Sequence, residues 1–126
     1  MTEESDADHS PSLAMAVGLF NEQDYFTCHD ILEELWGDTL GDDRDFLQGL
    51  LHAAVSLFHL SEGNPVGAYK MHASSLRYLT NYPDQYQGVN LAQLRCELVE
   101  CFDRAKSGQS VDLSNYPRLN WSLTDE

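Results

Sequence analysis

Basic residues are what this chain has least of. Seven lysines and arginines stand against twenty-one acids, giving a net charge of −14 at neutral pH, and only Lys70 and Lys106 are lysines. So few cations leave no patch able to neutralise phosphates, which argues against a nucleic-acid surface. Long apolar runs are missing as well. None approaches the ~18–20 residues needed to cross a bilayer, so no membrane partner is expected. The opening "MTEESDADHS" lacks the basic and apolar regions of a signal peptide, and the expected location is cytoplasmic. Cysteine is scarce and odd in number. Cys28, Cys96 and Cys101 form no C-x-x-C pair, so free, mostly buried thiols are expected rather than a disulfide framework. Strand patterning is absent too: no stretch alternates apolar and polar residues with a period of two.

The acid excess has two competing explanations. One is a surface made to meet a basic partner. The other is a halophilic host, in which salt screens self-repulsion and acids keep the surface hydrated. The acids are spread along most of the chain and lysine is scarce, which favours the halophile.

What is present is enough for one folded domain. A chain of 126 residues, 42% hydrophobic and 10% aromatic, can bury a real core. Residues 1–10 are acidic and small and are expected to be disordered. Residues 11–108 read as helical, and 109–126 as an extended tail that Tyr116, Leu119 and Trp121 hold against the bundle. The first helix starts near Ser10 or Ser12 and ends at about Asn21, followed by the polar turn "NEQD". The second carries Tyr25, Cys28, Ile31, Leu32, Leu35 and Trp36 on one side, and "GDTLGDD" breaks it. Asp45 to Ser61 has no formal charge between Phe46 and Ser61, so it is the expected buried central helix. Gly63 ends it, Asn64 caps the next helix and Pro65 suits its first turn. That helix stops before Pro83, "DQYQGVN" reads as a loop, and Leu91 to Ala105 forms a fifth helix. The expected fold is an all-α, single-domain bundle of about five helices. A faint repeat at an offset of about forty residues sets "NEQD" and Tyr25 against "SEGN" and Pro65. It suggests stacked helical hairpins, as in tetratricopeptide-type arrays.

The stretch "FTCHDILEELW" carries the main functional lead. On a helical wheel His29 and Glu33, one turn apart, fall beside Leu32 and Trp36 on the apolar side. An imidazole and a carboxylate aimed at one point make half of a site for Zn, Mn or Fe. The central helix offers a matching stripe of Gln48, His52 and His59. The plainer reading is a buried hydrogen-bond network, with Glu33 accepting from His29, Trp36 or Gln48 and pinning the hairpins together. Tyr25, Phe26, Trp36, Phe46, Phe58, Tyr69 and Tyr78 read as core, and His72 and His9 as incidental surface and tail residues. Neither Ser56 nor any cysteine has a base and orienting group beside it in the pattern, so nucleophilic catalysis is not expected.

His29, Glu33 and Trp36 also spell H-x-x-x-E-x-x-W within "YFTCHDILEELW", and "FLQGLLHAAVSLFHLSEGNPVGA" follows. Together these blocks resemble DUF309, small bacterial and archaeal proteins of unknown function, over Leu19 to Leu79. Asp30 stands where that family usually has glutamate. The resemblance implies an all-α fold and no particular reaction, although the family's motif has been considered a metal site. The favoured expectation is a non-enzymatic interaction module with an unknown protein partner or a second copy of itself. The alternative is a metal-binding protein, such as a metal-dependent hydrolase. It would centre on His29 and Glu33, with His52 and His59 as further ligands and Gln48 and Tyr25 in support.

Overall fold

A computed structural model describes residues 10–122. The expected disorder of residues 1–10 and the incidental role of His9 therefore fall almost wholly outside the described residues. Five helices form: α1 (Ser10–Asn21), α2 (Tyr25–Gly37), α3 (Asp43–Ser61), α4 (Pro65–Leu79) and α5 (Leu91–Lys106). The all-α expectation holds. Each of the first four packs on the next, and α5 packs on α4. The core runs through all five, from Phe20 and Leu32 through Phe46, Leu50 and Leu57 to Leu94, Leu98 and Phe102.

The forty-residue repeat is real in the backbone. Asp24 and Asn64 cap α2 and α4, their side-chain oxygens accepting from the amides of Thr27 and Gly67. The turns before them match bond for bond. Glu22, Gln23 and Asp24 donate to Gly18, Phe20 and Leu19 carbonyls, and Glu62, Gly63 and Asn64 donate to Phe58, Leu60 and His59. Both turns need a left-handed residue, filled by Gln23 (φ 67°) and Gly63 (φ 79°).

Three boundaries move. α3 begins at Asp43 rather than Asp45, α4 stops at Leu79, and α5 ends at Lys106 rather than Ala105. One expectation is corrected outright: "DQYQGVN" is a small hairpin, not a plain loop. β1 (Gln85–Tyr86) pairs antiparallel with β2 (Val89–Asn90). The turn between them puts Gln87 (φ 51°) and Gly88 (φ 81°) in the left-handed region, as a two-residue hairpin turn requires. Strands of two residues are too short to show an alternating pattern. The tyrosines beside the turn tie it to the start of α3: Tyr86 donates to Asp43 and Tyr82 to the Asp42 carbonyl.

The C-terminal segment lies along the bundle as expected. Tyr116 and Leu119 are buried. The Asn21 side chain clamps Leu119, accepting from its amide at 2.7 Å and donating to its carbonyl at 2.9 Å. A short 3-10 turn, Leu113–Asn115, interrupts the extended course, and Trp121 bridges to Val89 of the hairpin.

Candidate functional site

His29 sits on the outer edge of α2. Its Nδ1 lies 3.4 Å from Asp30 Oδ1 and its Nε2 3.6 Å from Glu33 Oε1. These contacts are ionic only when the imidazole is protonated. The spacing i, i+1, i+4 on one helix is enough to gather all three. Their ligand atoms lie within 4.8 Å of one another, and among the described residues this is the only such group of three or more histidines, cysteines and acids.

The buried-network expectation is corrected here. The Glu33 side chain is 59% exposed and that of His29 28%. The apolar stripe of α2 is narrower than the wheel suggested. Tyr25, Cys28, Leu32 and Leu35 fill it, which rotates Glu33 into water. Glu33 meets neither Trp36 nor Gln48. The Trp36 indole N–H is buried without a hydrogen-bond partner among the described residues. Asp30 is exposed and leans back on His29.

His52 and His59 do not join the pair. The α3 stripe that carries them is turned elsewhere. His52 Nδ1 is 2.8 Å from Ser74 Oγ of α4, and its ring stands edge-on to Tyr78. His59 lies beside the Asn64 cap, 3.5 Å from its amide nitrogen. Gln48 is half-buried on α3. Tyr25 is buried, stacks on Tyr116 and lacks a hydroxyl partner among the described residues, so it faces the C-terminal segment rather than His29. Burial raises its phenol pKa well above the usual value.

Phe26 is also corrected, from core to surface. It is 59% exposed and links two neighbours: His29 at 6.4 Å between ring centroids and Phe58 of α3 at 6.0 Å. Phe58 in turn lies 6.0 Å from His59. The result is a ribbon of four rings, His29–Phe26–Phe58–His59, crossing from the first hairpin to the second. His72, read as incidental, is half-buried and stacked on Phe102 at 4.2 Å, its Nδ1 without a partner among the described residues.

Trp36 belongs to a different device, which the sequence pattern did not reveal. The Arg44 guanidinium lies 3.8 Å over the Trp36 ring, and its Nη1 donates to the carbonyls of Trp36 and Thr39. This cation–π stack with two charge-assisted bonds fixes the turn between α2 and α3. The signal was available: one of only seven bases, set among the aspartates of "GDDRD". Two of the three free thiols are buried, Cys28 and Cys101, and Cys96 is exposed. Burial pushes Cys28 up to about 12 and Cys101 up to about 11, and Cys28 Sγ donates to the Ala16 carbonyl.

Among the described residues no helix is long and apolar enough to cross a membrane. The chain is 31% identical over 108 residues to an uncharacterized protein of Aquifex aeolicus (strain VF5), covering 85% of this chain and 31% of that protein. It is 40% identical over 58 residues to the uncharacterized protein YpuF of Bacillus subtilis (strain 168), covering 45% of this chain and 33% of YpuF. The chain thus spans about a third of the length of these relatives. Residues 13–71, which hold both helical hairpins up to the middle of α4 together with His29, Glu33 and Trp36, match the domain of unknown function DUF309, so the resemblance read from the sequence is shown over that span.

Proposed function

We propose that this chain is a non-enzymatic interaction module that docks a basic, amphipathic segment of another protein on its four-ring ribbon. The exposure of Phe26 at the centre of the ribbon carries this reading. A large aromatic ring kept in water, between half-buried aromatic neighbours, is the kind of anchor that dominates binding energy. Charge selects the partner. Asp30 and Glu33 rim the ribbon, exposed, in a chain of net charge −14. A second copy would bring the same charge against itself, whereas a basic segment gains from it.

The test uses an amphipathic leucine–lysine helical peptide, with polylysine as the charge-only control. Amide spectra should shift on α2 and the end of α3, and Phe26→Asp should weaken peptide binding at least tenfold. Equal binding of polylysine, with no effect of Phe26→Asp, would reduce the interaction to general charge attraction and sink the proposal. A dimer in sedimentation that Phe26→Asp dissolves would assign the ribbon to a second copy instead.

The grouping of His29, Asp30 and Glu33 within 4.8 Å favours a second reading, a divalent metal held on the rim of the same ribbon. One imidazole and two carboxylates suit Zn, Mn or Fe(II). Metal binding would raise the melting temperature by mass action, and His29→Ala would abolish the rise. No shift with any of the three metals would end this reading and leave the docking proposal standing.

A further inference from the structure

An open cavity of about 250 Å³ lies between α5 and the C-terminal segment. Glu97, Glu100, Cys101 and Arg104 line it from α5, at spacings that keep them on one helical face. Tyr116 and Arg118 line it from the segment opposite. Tyr116 and Cys101 are buried, and the Cys101 thiol is neutral at ordinary pH because burial raises its pKa. The cavity's formal charges are therefore two carboxylates and two guanidiniums.

No ion pair joins any of the four within 4.0 Å among the described residues, where Arg95 by contrast meets Asp84 at 2.8 Å. Glu97 is already engaged. One oxygen accepts from the Arg118 amide and the other from the Gln93 side chain. Arg118 gives one N–H to the Asn21 carbonyl. Arg104, the rest of the Arg118 guanidinium and the Glu100 carboxylate keep their binding capacity. In a chain with three acids for each base, two guanidiniums share one cavity and neither is neutralised by a described carboxylate.

We propose that this cavity binds a free α-amino acid, its carboxylate on Arg104 and Arg118 and its ammonium on Glu100. A simple anion would face two carboxylates there, and a simple cation two guanidiniums. A molecule carrying both charges satisfies both sets. Guanidinium is the side chain best matched to a carboxylate, through paired N–H donors. The volume equals about eight waters at roughly 30 Å³ each, which leaves room for a small amino acid together with some water. The far wall is preorganised, because the Asn21 clamp on Leu119, the bond from Gln23 to the Leu113 carbonyl and the bond from Asn120 to Gln93 hold the segment in place.

Calorimetric titration with glycine, L-glutamine and L-glutamate tests this, with acetate and methylamine as probes carrying one charge each. At least one amino acid should bind saturably, at least tenfold tighter than either single-charge probe. Arg104→Ala and Glu100→Gln should each weaken it at least tenfold, with the melting temperature unchanged because both side chains are exposed. Saturable binding of none of the three amino acids would overturn the proposal. So would acetate binding as tightly as the amino acids, or variants that bind like the wild type.

Discussion

At Gln23 and at Gly63 the backbone makes the same left-handed turn, yet one residue is glutamine and the other glycine. The two helical hairpins repeat this contrast throughout. Residues forty apart are buried together: Ala16 with Ser56, Val17 with Leu57, Cys28 with Ala68, Leu35 with Ser75. Their surfaces do not correspond. The positions matching His29, Asp30 and Glu33 are Tyr69, Lys70 and Ala73, and Trp36 matches Leu76. The hairpin architecture therefore does not require the His29 group. Packing repeats because each hairpin must bury one face on a neighbour, whereas solvent-facing positions are released from that demand.

The largest expected break in this comparison is Gly49→Ala. A Cβ there would meet Leu79 at 2.5 and 2.7 Å, in the close approach of α3 to α4. Overpacking of this kind costs about 1–3 kcal/mol. Gly18→Ala in α1 meets nothing within 4 Å and should instead stabilise by roughly 0.5–1 kcal/mol. Urea unfolding of both variants should give opposite signs, and the same sign would mean that the α3–α4 contact is not tight.

Gly63→Ala should cost about 1–2 kcal/mol, since an alanine Cβ is strained at positive φ. Gln23→Gly, at the equivalent turn, should be near neutral. It relieves the same strain but loses the bond to the Leu113 carbonyl, worth roughly 0.5–1.5 kcal/mol. A large gain from Gln23→Gly would show that this bond contributes little.

The two caps should be alike. Asp24→Ala and Asn64→Ala each remove the acceptor for one amide, and each should cost about 1 kcal/mol. Thermal melts in which only one variant loses stability would break the equivalence of the hairpins.

Acid sensitivity should reside in the second hairpin. Burial holds His52 below its usual value of 6.5, helped by Arg77, and holds His72 below it too, helped by Lys106 and opposed by Asp103. The unfolded chain then binds more protons between the folded and unfolded values. Stability is full above about pH 6.5 and falls as pH drops through that window. His72→Phe, which keeps the stack on Phe102, should flatten the decline in melting temperature from pH 7.5 to 5. An unchanged slope in a His52→Gln, His72→Phe double variant would place the sensitivity elsewhere.

The smallest effect belongs to the residue that first drew attention. Glu33→Ala and Glu33→Gln should both stay within about 0.5 kcal/mol of wild type, as expected of an exposed pair. A loss near 2 kcal/mol from alanine would restore the buried anchor that the helical wheel suggested.

Helix number, helix order and the turn between α3 and α4 could be read directly from the chain. Gly63, Asn64 and Pro65 act within a few residues of themselves, through left-handed φ, an amide acceptor and a fixed N1 torsion. The matching turn at "NEQD" was legible only as a polar break, because glutamine gives no sign that it will adopt positive φ. The side of α2 that meets water, the partner of Trp36 and the direction faced by His52 were decided by tertiary structure. An i, i+4 pair shows which residues share a face, but how far the neighbouring helix covers that face depends on residues distant in sequence. Glu33 lies just beyond that edge, while Ser74 and Tyr78 of α4 take up His52, the further ligand expected beside His29. The charged cavity belongs wholly to this second kind, since Arg104 and Arg118 face it from opposite sides only where Asn21 of α1 holds Leu119 and Glu97 of α5 holds the Arg118 amide.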